Sequence, residues 1–302
     1  MRDGFSRDAS MGNPFVKLHL AILIAGFTGI LGKLIQLPEG PLVWWRMLLT
    51  SVLFAVYLSL RKQLPRVGFR DACGLCGVGA LVAVHWLFFY GSIKYANVSI
   101  AVVCFALTGF FTAVFEPLFK KRLPSIRELF FSLITVLGIA LIFHFDTQFR
   151  TGITLGVFAA AFAALFTLGV KRAGKSHGAS TILLFQMIGG FGFLTLVAPV
   201  YLAFFPGIAL VPGPMDFVYL LVLSSVCTVG LFLLQIQALR EISAFTVNLS
   251  FNLEPIYSIL LAMVIFGEAN ELGLPFFTGL GLICVSVVLQ SLYTMRQTAG
   301  VR

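Results

Sequence analysis

The chain has 302 residues, 59% of them hydrophobic and 11% charged, with a mean hydropathy of +0.99 and a formal net charge of +9. Soluble domains carry about a quarter charged residues, so this composition excludes an ordinary soluble protein and indicates an integral membrane one. Strand-like alternation is absent, which speaks against a β-barrel and for an all-α membrane protein.

The opening "MRDGFSRDAS" is polar, and the apolar segment after it is full length without a small-residue cleavage site. A retained first helix is therefore expected behind a tail at 1–14. Apolar windows separated by Gly, Pro and charge clusters then predict ten transmembrane spans, at roughly 15–36, 41–60, 71–91, 97–119, 125–144, 151–170, 178–204, 216–238, 244–266 and 272–294. Most approach the 20 or so residues with which a helix crosses about 30 Å of hydrocarbon. Placing the loops on alternate sides puts seventeen Lys and Arg on one side, Lys33, Lys94 and Arg150 on the other, and Arg46 inside a span. Cationic loops stay cytoplasmic, so both termini are expected there. Contact with anionic lipid headgroups accounts for the net charge, and no nucleic-acid partner is needed.

Span two carries "WWRM" at 44–47, with Arg46 just inside its outer end. The guanidinium either reaches back to the interface or binds a carboxylate as a fork. Trp44 and Trp45 point in different directions, so at most one of them meets a substrate. The "CGLC" at 73–76 has redox or metal spacing but no second Cys or His pair, so small packing residues are expected and no metal. In span three, "HWLFFYG" at 85–91 puts His85 and Phe89 on one face, with Trp86 and Tyr90 beside them. His85 titrates near neutrality and is costly against lipid, which makes it a candidate for the substrate pathway and for proton coupling. Trp86 is a substrate candidate, and Tyr90 reads first as an aromatic-belt residue and second as a ligand.

Span four carries Thr108-Gly109 at mid-depth and ends in "FEPLF" at 115–119, where Lys120 follows Glu116 at the spacing that satisfies both charges. Span nine reads "NLEPIYSILLAMVIFGE" from 252 to 268. Its Glu254 has no cation within its own helix, so it is protonated, paired with another helix, or facing water, and it is a second proton-coupling candidate. Pro255 removes the backbone bond to the Phe251 carbonyl. Asn248 and Asn252 share a face with Phe245 and both donate and accept, which makes them the leading substrate contacts. On one continuous helix Glu254 lies about 120° round from Asn248, so the three would not all enter one narrow cavity. Lys33, His19 and His144 lie near helix ends and read as interfacial. The glycine runs at 76–79, 189–192 and 279–281 read as close-packing surfaces.

A single offset of 146 residues relates the last two spans of each half, pairing Lys94 with Arg240, Phe105 with Phe251, Leu107 with Leu253 and Phe130 with Phe276. In that register Glu254-Pro255 meets Thr108-Gly109 rather than Glu116-Pro117. Five spans per half is an odd number, so halves at 15–145 and 151–294, followed by a tail at 295–302, would thread the membrane in opposite senses. That is the inverted-repeat plan of many secondary transporters, whose binding sites lie at paired interruptions near the midplane. Thr108 is the expected contact in the first half, with Gly109 and Pro255 as conformational points.

The Glu-Pro in mid-span nine, the closing "GE" at 267–268, the Gly-rich last span and Arg46 in span two resemble the EamA-type branch of the drug/metabolite transporter superfamily. Within that branch the chain is most similar to the aromatic amino-acid exporters of the YddG type. The resemblance implies helices around a central cavity in a bacterial inner membrane, export of amino acids including aromatic ones, and no cofactor. The first half departs from the pattern, with "KKR" at 120–122 where the "GE" would stand. Multidrug export is an alternative. Exchange of nucleotide sugars or phosphorylated metabolites is another, but it needs several cations in the cavity, and only Arg46 lies well inside a span. An intramembrane enzyme is disfavoured, because Asp3, Asp8, Asp71, Asp146 and Asp216 lie at termini or span ends and no HExxH or GxSxG motif occurs.

Overall fold

The structure, a computed structural model, describes residues 13–121, 123–145, 147–251 and 253–299, excepting the side chains of 127, 128, 145, 244, 245, 248, 249, 287 and 290–299. Among the described residues every regular element is helical. In order these are α1 (Pro14–Leu34), α2 (Glu39–Leu60), α3 (Phe69–Tyr95), α4 (Val98–Phe105), α5 (Thr108–Lys120), α6 (Ile126–Phe145), α7 (Arg150–Ala173) and α8 (Ala179–Phe204). They are followed by α9 (Pro214–Ser224), a π-helical segment Ser225–Gly230, α10 (Leu231–Glu241), α11 (Ala244–Phe251), α12 (Glu254–Phe266) and α13 (Leu274–Ala299). Among the described residues seven helical stretches are long and apolar enough to cross a membrane, and shorter apolar helices lie at Leu129–His144, Glu254–Phe266 and Leu274–Ser286. Each of these falls on a predicted span. Large apolar side chains such as Phe69, Leu123 and Val264 stand more than four-fifths exposed, the pattern of a surface solvated by lipid rather than water.

Local chemistry sets the helix ends. Asn13 caps α1 by accepting from Phe15 N at 3.0 Å, with Pro14 in the first turn, and Asn97 caps α4 by accepting from Ile100 N at 2.9 Å. Gly267 ends α12 at φ 69°, a left-handed conformation that glycine adopts without a Cβ clash. Two interruptions lie inside apolar stretches. The first falls at Ala106-Leu107, between α4 and α5, and the second immediately before α12. Adding 146 to each bound of α4 and α5 returns the bounds of α11 and α12, so the two breaks share one register. Their causes differ: Pro255 has no N–H for the Phe251 carbonyl, whereas Thr108 Oγ1 donates to Phe105 O at 2.6 Å and takes up the carbonyl freed in the first half.

The packing is nearly unchanged when the halves are exchanged. Helix α3 lies on α7, as α10 lies on α1; α4 lies on α7, as α11 and α12 lie on α1; α6 and α13 lie on each other. Glycines bring these helices together. A Cβ on Gly138 would meet the Gly279 carbonyl at 2.7 Å, and one on Gly279 would meet the Gly138 carbonyl at 2.6 Å. Near this crossing Thr135 Oγ1 donates to Ser286 Oγ at 2.8 Å, tying α6 to α13. Gly79 sits against the Gln186 backbone and Gly189 against that of Cys76, so the "CGVG" run at 76–79 and the "GGFG" run form the α3–α8 contact.

The glycine contacts make a direct test. Gly79→Val would drive a branched side chain into rigid backbone, which costs about 1–3 kcal/mol, and should lower the Tm of the purified protein in detergent. Gly77→Val, two residues earlier with no heavy atom within 4 Å of its Cβ position, should leave Tm unchanged. Equal Tm values for the two variants would contradict the packing described.

Candidate functional site

A cavity of about 50 Å³ lies where the interrupted helices meet, lined from α1, α2, α3, α4, α7, α10, α11 and α12. Its lining follows the repeat. His85, Trp86, Phe89 and Phe105 of the first half stand 146 positions from Leu231, Phe232, Gln235 and Phe251 of the second, and all eight line the cavity. Trp86 and Phe232 meet edge to face with ring centres 5.7 Å apart. Phe166 closes the α7 side, and Ala25 and Thr28 the α1 side. The space holds a few waters, so the helices must separate further to admit a larger solute.

Polar groups in this aromatic setting are few. Arg46 is 2% exposed and is held from two helical segments, α3 and the π-helical Ser225–Gly230. Nη1 donates to Tyr90 Oη at 2.5 Å, Nε to Thr228 Oγ1 at 2.9 Å, and Nη2 to Cys227 O at 3.3 Å, while the guanidinium lies 3.7 Å from the Trp86 ring centre. Both second-half acceptors come from the π-helical segment Ser225–Gly230. No carboxylate pairs with Arg46 among the described residues. Glu254 is 4% exposed at the first position of α12, lines the same cavity, and has no hydrogen bond or ion pair among the described residues. His85 Nδ1 donates to Ala159 O at 2.8 Å, which in the neutral ring leaves Nε2 as an acceptor, among the rings of Phe89, Phe105 and Phe166.

Four predicted residues, Arg46, His85, Trp86 and Glu254, therefore share one cavity. Others lie elsewhere. Trp44 turns to α8, donating to Thr195 Oγ1 at 3.0 Å and packing on Phe191, because its neighbour Arg46 occupies the inward face. Tyr90 is fully buried behind the guanidinium, which corrects its reading as an interfacial belt residue, and Arg46 is likewise not interfacial. Thr108 spends its hydroxyl on the Phe105 carbonyl, and with Gly109 and Pro255 it is buried in the helix breaks. Asn252 and the Asn248 side chain lie outside the described residues. The angular argument that separated them from Glu254 assumed an unbroken helix, whereas α11 ends at Phe251 and α12 begins at Glu254. Gln235, Phe166 and Phe232 were not singled out from sequence, although the offset of 146 extended upstream from Lys94 reaches both Gln235 and Phe232.

Glu268 closes one end of the bundle. Its side chain, fully buried, accepts from Lys33 Nζ at 2.7 Å, Val98 N at 3.1 Å, Ser99 N at 3.0 Å and Ser99 Oγ at 2.7 Å, clasping the end of α1 and the first turn of α4. Lys33, expected at the interface, is thus an ion-pair partner. Burial alone would raise the Glu268 pKa, but the bonds from Lys33 and Ser99 outweigh it and hold the carboxyl below its ordinary value. Glu116 pairs with Lys120 at 2.5 Å, as their spacing predicts.

The sequence matches the family described as "EamA-like transporter family" twice, over residues 16–144 and 150–292. No curated protein matches it. Twenty-eight solved chains match it in fold. One of them, described as "Crystal structure of protein", superposes with a TM-score of 0.64 at 14% identity, covering 93% of this chain and 98% of its own. At that identity the likeness is one of fold alone.

The clasp has a pH signature. A folded pKa below the unfolded one stabilises the protein above the unfolded value of about 4.3 and ceases to do so as pH falls through the folded value. Glu268→Gln should therefore lower Tm at pH 7 and flatten the acid-side fall in Tm. A variant whose Tm follows wild type from pH 7 down to the acid limit would show that the clasp contributes nothing.

Proposed function

The chain belongs to the EamA-like transporter family, a multi-pass membrane transporter of the drug/metabolite type, and from this premise we propose that it exports small zwitterionic metabolites, amino acids including aromatic ones. The observation that carries the reading is a pair of opposite ionisable groups in one aromatic cavity, Arg46 and Glu254, with no ion pair between them. A buried charge needs a partner. An amino acid supplies both at once, a carboxylate for the guanidinium and an ammonium for the carboxylate, while Phe105, Phe166, Phe232 and Phe251 accept the side chain. Asn248 and Asn252, on the same interrupted span, fit the role of further contacts to the amino and carboxyl groups.

A phosphorylated solute is a poorer fit, because Arg46 is the one Lys or Arg among the cavity's lining residues. A lipophilic cation would satisfy Glu254 and meet repulsion from Arg46. Transport follows the inverted-repeat scheme, in which the two five-span halves rock about the broken helices and expose the cavity alternately to either side. Both termini are cytoplasmic in this scheme, and the membrane is the bacterial inner membrane.

Counterflow uptake into proteoliposomes, with labelled amino acids, sugars, nucleotides and quaternary amines, tests the reading. Wild type should exchange aromatic amino acids. Arg46→Lys, which keeps the charge and loses the fork, should raise the half-saturation concentration about tenfold, the loss of one charge-assisted hydrogen bond. Glu254→Gln should do the same. Active protein that exchanges only a phosphorylated solute or a quaternary amine would overturn the proposal.

A further inference from the structure

We propose that Gln235, together with Glu254 and Thr28, forms an oxygen-lined subsite for a primary ammonium group, and that Gln235 is the residue by which the site prefers a free amine to its N-methylated forms. The inference rests on the zwitterion reading above and specifies which end of the zwitterion is recognised, and how.

Gln235 lies on α10, 6% exposed, and lines the cavity. Its amide makes no hydrogen bond among the described residues, although buried amides are almost always satisfied. Glu254 is in the same condition. Thr28, 8% exposed, donates its only hydroxyl proton to Ala25 O at 2.7 Å, so toward the cavity it offers lone pairs alone. Three acceptors are thus carried on α10, α12 and α1, and both α10 and α12 pack against α1. A primary ammonium has three N–H donors and no acceptor, which is the complement of this set.

Charge and hydrogen bonding separate two kinds of cation here. Glu254 alone would attract any amine, because a methylated ammonium keeps its charge. Neutral oxygens distinguish donors from methyl groups, and a site built to hydrogen-bond a substrate N–H rejects analogues that lack it. Gln235 and Thr28 are the neutral members. The repeat places Phe89 at the position 146 before Gln235, so the amide has no polar counterpart in the first half. The oxygen acceptors therefore gather on α1 and the second half, with His85 Nε2 as a nitrogen acceptor on α3, while the cation, Arg46, comes from α2. A zwitterion bound between them has one orientation.

The test is competition against labelled phenylalanine in counterflow with the full-length protein, using phenylalanine, N-methylphenylalanine and trimethylphenylalanine betaine as competitors. In wild type, full methylation should weaken competition about tenfold or more, since it removes all the charge-assisted bonds. Gln235→Leu should narrow that ratio to about threefold or less, chiefly by weakening phenylalanine itself, with Tm unchanged. A folded Gln235→Leu protein with the wild-type ratio overturns the inference. Wild type that exchanges phenylalanine without discriminating methylation overturns the inference and leaves the zwitterion reading standing. Wild type that exchanges no amino acid overturns both.

Discussion

A guanidinium removed from water must have its hydrogen bonds supplied by the protein, and much of the centre of this structure is arranged around that requirement at Arg46. Tyr90 and Trp86 come from α3 to take one edge and one face, which fixes α3 against α2. The other partners, Thr228 and the Cys227 carbonyl, come from the π-helical segment Ser225–Gly230 of the second half. The π-helical segment thus ties α9 and α10 to α2 through one side-chain and one backbone acceptor. With these positions taken, Trp44 faces α8 and the outer rim of the guanidinium faces the cavity.

The helix breaks meet a second requirement of the same kind. Backbone irregularity at membrane depth is tolerated where it is buried in protein or lines a polar space. Both interruptions meet at the cavity, and their shared register shows that this is a property of the repeat rather than of either half. The two halves reach the same geometry through different chemistry, a threonine hydroxyl in one and a proline in the other. Replacing Thr108 by Glu254 at the related position then gives the second half a carboxylate where the first has a satisfied hydroxyl. Structural symmetry with chemical asymmetry is what places two unlike ionisable groups, Arg46 and Glu254, in one cavity.

How far the sequence revealed this depends on what each feature requires. Apolar length and the Gly, Pro and cation clusters between segments located the helical stretches, because hydrocarbon thickness imposes that length directly. The breaks were legible from Pro255 and the offset of 146, since they are local events. Arg46, His85 and Glu254 were visible because ionisable groups within apolar runs are rare. Gln235 and Phe232 were not singled out, for a physical reason: the π-helical turn before them rotates everything that follows by about one residue, some 100°. A helical wheel drawn through 216–238 as one regular helix assigns them to the wrong face. The Lys33–Glu268 contact, 235 residues apart, depends on how α12 ends against the start of α4, and no local pattern encodes that.

The ends of the bundle carry the asymmetry further. The Glu268 carboxylate bonds the free amides at the start of α4, where the helix dipole favours an anion. The position related to it by the offset is Arg122, a cation in place of the carboxylate. That end is tied by the opposite device: Lys171 donates to the carbonyls of Leu239 and Ile242 at the C-terminal end of α10, and Arg240 donates to His177 O, between α7 and α8, at 2.8 Å. One end is thus held by an anion on helix amides and the other by cations on backbone carbonyls. Each suits its helix terminus, and neither can substitute for the other. The two ends are held by different sets of charge-assisted bonds, even though their helices are related by a repeat.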